Sequence, residues 1–306
     1  MFTLAHLSDP HLGPLPDPKL LQLFSKRILG YLNWRRNRAK AMGGSYLSRL
    51  VDDLKGQDPD HIAITGDLVN IALPLEITGA KAWLDGIGPP EKVSVVPGNH
   101  DAYVPGALKK AIRAWYPYMS ECGAQASGPW PDATFPFVRK RGKIALVGIS
   151  TARASGPWFA TGRVGSTQSR RLRNTLDALR AEGLFRVVIL HHPPFRKATG
   201  WHKRLSDASR VRAMIKRAGA ELILHGHTHV DSLQYIAGRD GQVPVIGVPS
   251  ATTAPGGKKP AGRYNLFQVS EDETAWNVQM VERGFTDSDA IVEIARARFT
   301  LPKAIP

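Results

Sequence analysis

The order of apolar runs predicts an α/β fold of layered sheets and helices. Three observations carry this. Short β-branched runs alternate with helical stretches through the first three quarters of the chain. Small polar clusters follow those runs at their carboxyl ends. Beyond His229 the helical stretches give way to short strands broken by glycine and proline. In order, strand-like runs fall at 2–7, 61–65, 93–96, 144–149, 187–190 and 222–224, each rich in Val, Ile or Leu. Helical stretches lie between them. That at 47–54 stops before Asp58-Pro59, and 75–84 stops near Gly86. The stretch 108–115 follows a turn, 167–180 carries Leu172, Leu176 and Leu179 at helical spacing, and 211–218 stops at Gly219. Runs at 231–236, 243–248, 264–269 and 275–281, punctuated by Gly238, Gly241, Pro249 and the 255–260 stretch, are expected to form a second sheet that completes a sandwich. Residues 287–298 read as a final helix, so the organisation is one domain over 1–286 with a helical tail over 287–306.

Composition narrows the chemistry. A chain of 306 residues with an apolar fraction of 42% can bury a sizeable core. Its single cysteine, Cys122, excludes an internal disulfide and a thiolate ligand set. Met1 runs almost directly into the first strand, nothing resembles a signal peptide, and no uncharged apolar stretch is long enough for a bilayer span. A cytoplasmic location is therefore expected. The net charge of +15 favours anionic partners.

Five polar clusters stand in order: Asp9-Pro10-His11, Gly66-Asp67, Gly98-Asn99-His100-Asp101, His191-His192 and Gly226-His227-Thr228-His229. In α/β sheets ligands gather beyond the carboxyl ends of strands, and each cluster follows a strand-like run at that end. The clusters supply enough oxygen and nitrogen for two divalent cations side by side. Imidazole and carboxylate donors without thiolate suit Mn, Fe, Co, Zn or Ni. Such a pair of ions implies in-line attack on a phosphate ester. His6, His61 and His225 read as structural histidines.

The order of these blocks resembles the calcineurin-like metallophosphoesterase superfamily, whose pattern runs D-x-H, G-D, G-N-H-[DE], H, G-H-x-H. The resemblance spans Asp9 to His229. Gly-Asn-His-Asp, His-His-Pro-Pro and Gly-His-Thr-His look most like the bacterial class III cyclic-nucleotide phosphodiesterase branch, which glycerophosphodiesterases share. The resemblance implies two mixed β-sheets packed as a sandwich between helices. It implies that Asp9, His11 and His229 hold one metal, that Asn99, His191 and His227 hold another, and that Asp67 bridges them. It makes His100 the residue that meets the phosphate and protonates the leaving oxygen, with Asp101 orienting its ring, while a metal-bridging hydroxide attacks in line.

The substrate is less defined. Residues 14–44 form a long insertion, and from Lys19 to Arg49 the chain has eight Lys or Arg and no Asp or Glu. Leu20, Leu21, Phe24, Ile28, Tyr31 and Leu32 fall on one helical face, with Lys26, Asn33 and Gln22 opposite. Such a helix packs its apolar face on the protein's own core, or lies on an anionic membrane through residues 19–40, or, as the least favoured expectation, meets nucleic acid. A second basic stretch contains Arg196, Lys197, Lys203 and Arg204, and Arg196, His202 and Arg204 are expected to bind substrate. A small cyclic-nucleotide-like diester is the leading expectation. A lipid-linked substrate similar to that of the UDP-diacylglucosamine pyrophosphohydrolases is the alternative, although those enzymes read Gly-Asn-Arg-Asp where this chain has Gly-Asn-His-Asp. A DNA nuclease fits less well, because no coiled-coil or capping region is present.

Overall fold

The structure, a computed structural model, describes residues 1–38, 44–121 and 135–303. Strand β1 (Phe2–Leu7) leads into two short helices, α1 (Leu20–Leu23) and α2 (Arg27–Asn33), with a π turn after them. Then come α3 (Gly44–Gly56), β2 (His61–Ile64), α4 (Pro74–Ile87), β3 (Val93–Val95) and α5 (Ala107–Trp115). The second half runs β4 (Phe137–Arg141), β5 (Ile144–Gly148), α6 (Gly165–Ala181), β6 (Phe185–Ile189), α7 (Ala208–Ala218) and β7 (Leu222–His225). It ends with β8 (Ser232–Ala237), β9 (Gln242–Gly247), β10 (Arg263–Glu271), β11 (Ala275–Phe285) and β12 (Ile291–Pro302).

These strands form two six-stranded mixed sheets, ordered β12-β11-β10-β1-β2-β3 and β4-β5-β6-β7-β9-β8. Strands β1 to β3 are parallel, as are β5, β6, β7 and β9. Strand alternation divides the apolar residues between layers. Leu146, Val187, Ile189, Leu222 and Leu224 join the core shared with the first sheet and with α3, α4 and α5. Their neighbours Ala145, Val147, Val188 and Ile223 face Leu172, Leu176 and Leu179 of α6 and Val211 and Ile215 of α7. The result is helices, sheet, sheet, helices, as expected.

The structure differs from the sequence reading in four places. The C-terminal strands do not make a sheet of their own: β8 and β9 extend the second sheet, whereas β10, β11 and β12 extend the first through β1. Residues 287–298 do not form a helix but lie mostly in β12. Ala295, Ala297, Phe299 and Leu301 alternate with polar residues, a period of two, and Phe299 and Leu301 are buried opposite Val278 and Trp276. Strand β4 was not anticipated, because its FVRKR sequence hides Arg139; that buried guanidinium donates to the carbonyls of Ser120, Val93, Pro117 and Pro90. The single basic helix expected within 14–44 is broken between α1 and α2, and residues 39–43 of that insertion lie outside the described residues.

A buried ion pair fixes the two strands that aim at the site. The guanidinium of Arg186, at the start of β6, donates from Nε to Glu221 Oε2 at 2.9 Å and from Nη2 to Oε1 at 2.5 Å, just before β7. Neither side chain is appreciably exposed. Replacing Arg186 by Met would leave the Glu221 charge buried and unpaired, and urea unfolding should show a loss of about 3–5 kcal/mol. A change within about 0.5 kcal/mol would mean that the pair does not clamp these strands.

Candidate metal centre

The site is built from loops that leave the carboxyl ends of β1, β2, β3, β6 and β7, and the backbone there is unusual. Asp9, His11, Asp67, His227 and His229 all have φ between 38° and 70°. Left-handed backbone is uncommon for residues other than glycine and concentrates at functional sites. The turns are cross-braced: Asp9, His11 and Leu12 donate their N–H groups to the carbonyls of Gly66, Asp67 and Leu68 at 2.8–3.0 Å. Gly226 has to be glycine, since a Cβ there would sit 1.8 Å from Ser8 Oγ and 2.5 Å from Asp9 Oδ2.

The two carboxylates share one pattern. Asp9 Oδ2 accepts from Ser8 Oγ at 2.6 Å and from the His227 N–H at 2.9 Å. Its Oδ1 is buried without a hydrogen-bond partner, 3.1 Å from His229 Nε2 and 3.9 Å from His11 Nε2. Asp67 Oδ1 accepts the His100 N–H at 2.6 Å, while Oδ2 lies 3.3 Å from His191 Nε2 and 4.0 Å from His11 Nε2. In each, one oxygen is held by donors and the other is turned toward imidazole nitrogens. An oxygen buried in this way calls for a cation.

The histidines are oriented by carbonyls. His191 Nδ1 is 2.7 Å from Thr65 O, His11 Nδ1 3.2 Å from Val69 O, and His227 Nε2 2.8 Å from Lys203 O. Each bond leaves the opposite ring nitrogen for a ligand role, as carbonyl-anchored metal histidines do. Asn99 Oδ1 is 3.2 Å from His191 Nε2. Asp9, His11 and His229 form one group whose donor atoms lie within 4.8 Å of one another, and Asp9, Asp67 and His191 form another. His192 also lies near His191 and His227. Its Nδ1 meets Thr151 Oγ1 at 2.7 Å and its Nε2 meets Ala160 O at 3.0 Å, so both nitrogens are already engaged. Burial, then the neighbouring His191, pushes it down to about 3. Burial works against the proton on His191, but the Asp67 carboxylate prevails and lifts it to about 9.

Asp101 does not orient the His100 ring. Its carboxylate accepts four backbone N–H groups, from Gly98 at 2.7 Å, Asp67 and Leu68 at 2.9 Å, and Val69 at 3.2 Å. It clips the loop after β2 to the loop after β3. His100 is oriented instead by the Asn70 carbonyl, which its Nδ1 contacts, and it stacks on Tyr103 with ring centroids 5.5 Å apart. His6 and His61 are buried against Thr65 and Ser94, and His225 bonds the Gly226 carbonyl, all structural as expected.

A cavity of about 380 Å³ opens over these residues. Lys26, Asn33, Trp34, Tyr103, Trp158, Phe159, Lys203 and Lys259 line it, and Asp67 is its only carboxylate among the described residues. Of the expected substrate-binding residues, Arg196 and Arg204 line a neighbouring cavity of about 420 Å³, and His202 lines neither. Charge alone had pointed to Arg196 and Arg204. Of that second basic stretch Lys203 reaches the site, and from the insertion Lys26 and Asn33 line it, a placement that only the folded chain shows.

Fold and site together place at the strand ends a donor set that could hold a divalent metal. The chain belongs to the calcineurin-like phosphoesterase family, whose model matches residues 2–231. No curated protein matches the sequence. Among solved structures, a dimetal phosphatase from Danio rerio is similar at 13% identity, covering 98% of this chain and 99% of its own, with a TM-score of 0.55. The purple acid phosphatase PPD1 of yellow lupin is 13% identical, over 98% of this chain and 53% of its own, with a TM-score of 0.56. GAP50 of Plasmodium is 14% identical, over 99% and 89%, with a TM-score of 0.51. At these identities the likeness is one of fold. Among the described residues no helix is long and apolar enough to cross a membrane.

If Asp101 holds the two loops together, Asp101→Asn should weaken manganese binding about 10–100-fold although it touches no ligand atom. Isothermal titration would check this, and unchanged affinity would remove the clip from the account.

Proposed function

We propose that the protein is a two-metal phosphodiesterase. The observation that carries the reading is the pairing of carboxylate oxygens left for cations with a cavity lined by Lys26, Lys203 and Lys259. Cations below and ammonium groups above suit a phosphate group. Asp9, His11 and His229 would hold one ion; Asn99, His191 and His227 would hold the other. Asp67 Oδ2, between the two groups, would be shared. When bound, the ions supply positive charge for the phosphoryl oxygens and acidify water at neutral pH.

The chain's own residues do the rest. Asn99 brings a neutral amide oxygen where a third carboxylate would cancel positive charge. The carbonyl of Asn70 accepts from His100 Nδ1–H, so Nε2 is the nitrogen that would meet the leaving oxygen, and it would give that oxygen a proton from the doubly protonated ring. The wall of Trp34, Tyr103, Trp158 and Phe159 would hold an organic group carried by the phosphate. A cyclic-nucleotide-like diester, with one flat base, fits this wall. A lipid-linked substrate is a second reading, favoured by the apolar residues outside the cavity.

Asp67→Ala should abolish hydrolysis of a chromogenic diester and reduce bound metal to one ion or none per chain; retained activity in metal-saturated protein would contradict the shared-ligand assignment. His100→Ala should lower turnover about 10²–10⁴-fold with metal content unchanged, measured by elemental analysis beside the assay. Loss of metal would make His100 a ligand.

A further inference from the structure

Helix α2 lies over the cavity, and α1 precedes it outside the lining. On α2, Arg27 donates to the carbonyls of Ile71 and Ala72, and Tyr31 and the following Trp34 pack on Leu15, Ile71 and Leu73. Lys26 reaches across the cleft to Phe159 O at 2.6 Å and Ser155 Oγ at 3.2 Å, with its ammonium 4.8 Å from the centre of the Tyr103 ring. Gly30 permits this seat, since a Cβ there would fall 2.4 Å from Tyr103 Oη. Lys26 and Arg27 are thus spent inward together with Tyr31, and most of the apolar side faces solvent. Leu20 is 80% exposed and Leu21 and Phe24 are 84% exposed, with Ile28 and Leu32 beside them. Across the cleft Trp158 and Trp201 are 77% and 67% exposed, and Trp201 packs edge-on against Phe159 at 5.3 Å.

Soluble proteins rarely leave large apolar side chains grouped in this way without a partner. The charge around them identifies the partner. Four of the segments bordering the cavity, 19–38, 153–163, 195–206 and 254–263, contain no Asp or Glu and each carries Lys or Arg. Exposed leucine, phenylalanine and tryptophan ringed by cations match an anionic lipid surface, where indole rings settle at the headgroup level and basic side chains meet phosphate. Nucleic acid would use the cations but not the leucines, and a second copy of so basic a rim would repel the first.

We infer that the face formed by α1, α2 and the loops carrying Trp158 and Trp201 docks on an anionic bilayer, so that the metal cavity opens at the headgroup layer and takes a lipid-borne phosphodiester. The substrate half rests on the phosphodiesterase reading above; the docking half does not.

The test is co-sedimentation of the full chain with vesicles of phosphatidylcholine alone or mixed with phosphatidylglycerol, beside hydrolysis of a soluble chromogenic diester. The wild type should bind the anionic vesicles at least about tenfold better than the neutral ones, less so at high salt. The double variant Leu21→Ser/Phe24→Ser should lose about tenfold in vesicle binding while its turnover of the soluble diester stays within about twofold, which also reports that it is folded. Failure of the wild type to bind anionic vesicles, or equal binding by the variant, overturns the inference. So does preferential binding of duplex DNA, or a dimer in light scattering that the double variant abolishes. Vesicle binding by a protein that hydrolyses no diester supports the docking face and overturns the diesterase reading.

Discussion

The carboxylate of Asp101 is the interaction on which the site depends. It takes four backbone N–H groups from two loops, which His100 also joins through its bonds to Asp67 and Asn70. Those loops carry Asp67, Asn99 and His100. The cost of turning the backbone left-handed at Asp9, His11, Asp67, His227 and His229 is of order 1–3 kcal/mol at each residue. Such turns persist only where hydrogen bonds over-determine them. Asp101 supplies that on one side of the cleft, and the Ser8 and His227 donors to Asp9 supply it on the other. The sheets deliver the strand ends; these clips convert the ends into a site.

Much of the fold, and the clustering of Asp and His residues at its strand ends, was legible in the sequence. The ligand clusters sit directly after apolar runs, and a strand's carboxyl end is where an α/β fold gathers its chemistry. What was hidden has physical causes. The alternation in β12 is interrupted early by Ile291 and Val292, so the helical reading competed with it. Arg139 disguises β4 because its burial is offset by carbonyls far away in the chain. No local signal tells which sheet a C-terminal strand will join. Asp101 was expected to orient the His100 ring, but its hydrogen bonds run to backbone amides, which no side-chain pattern reveals.

The insertion shows the same limit from the other direction. Its amphipathicity was readable, and so was its excess of Lys and Arg. Which face turns inward was not, since that depends on Arg27 finding the carbonyls of Ile71 and Ala72 and on Gly30 letting the helix settle on Tyr103. The consequence is a physical link between the rim and the chemistry. Lys26 lies against Tyr103, and Tyr103 stacks on His100, whose ring also stands edge-on to His11 at 4.7 Å. Movement of α2 would therefore be felt at the ring that meets the substrate.

The central claim is that two cations share Asp67. Manganese titration of chelator-treated wild-type protein, followed by electron paramagnetic resonance, tests it most directly. Because Asp67 Oδ2 lies between the two ligand groups, the account predicts saturation at two ions per chain and the spectrum of an exchange-coupled pair. Saturation by a single ion, or two ions with no magnetic coupling, would contradict it.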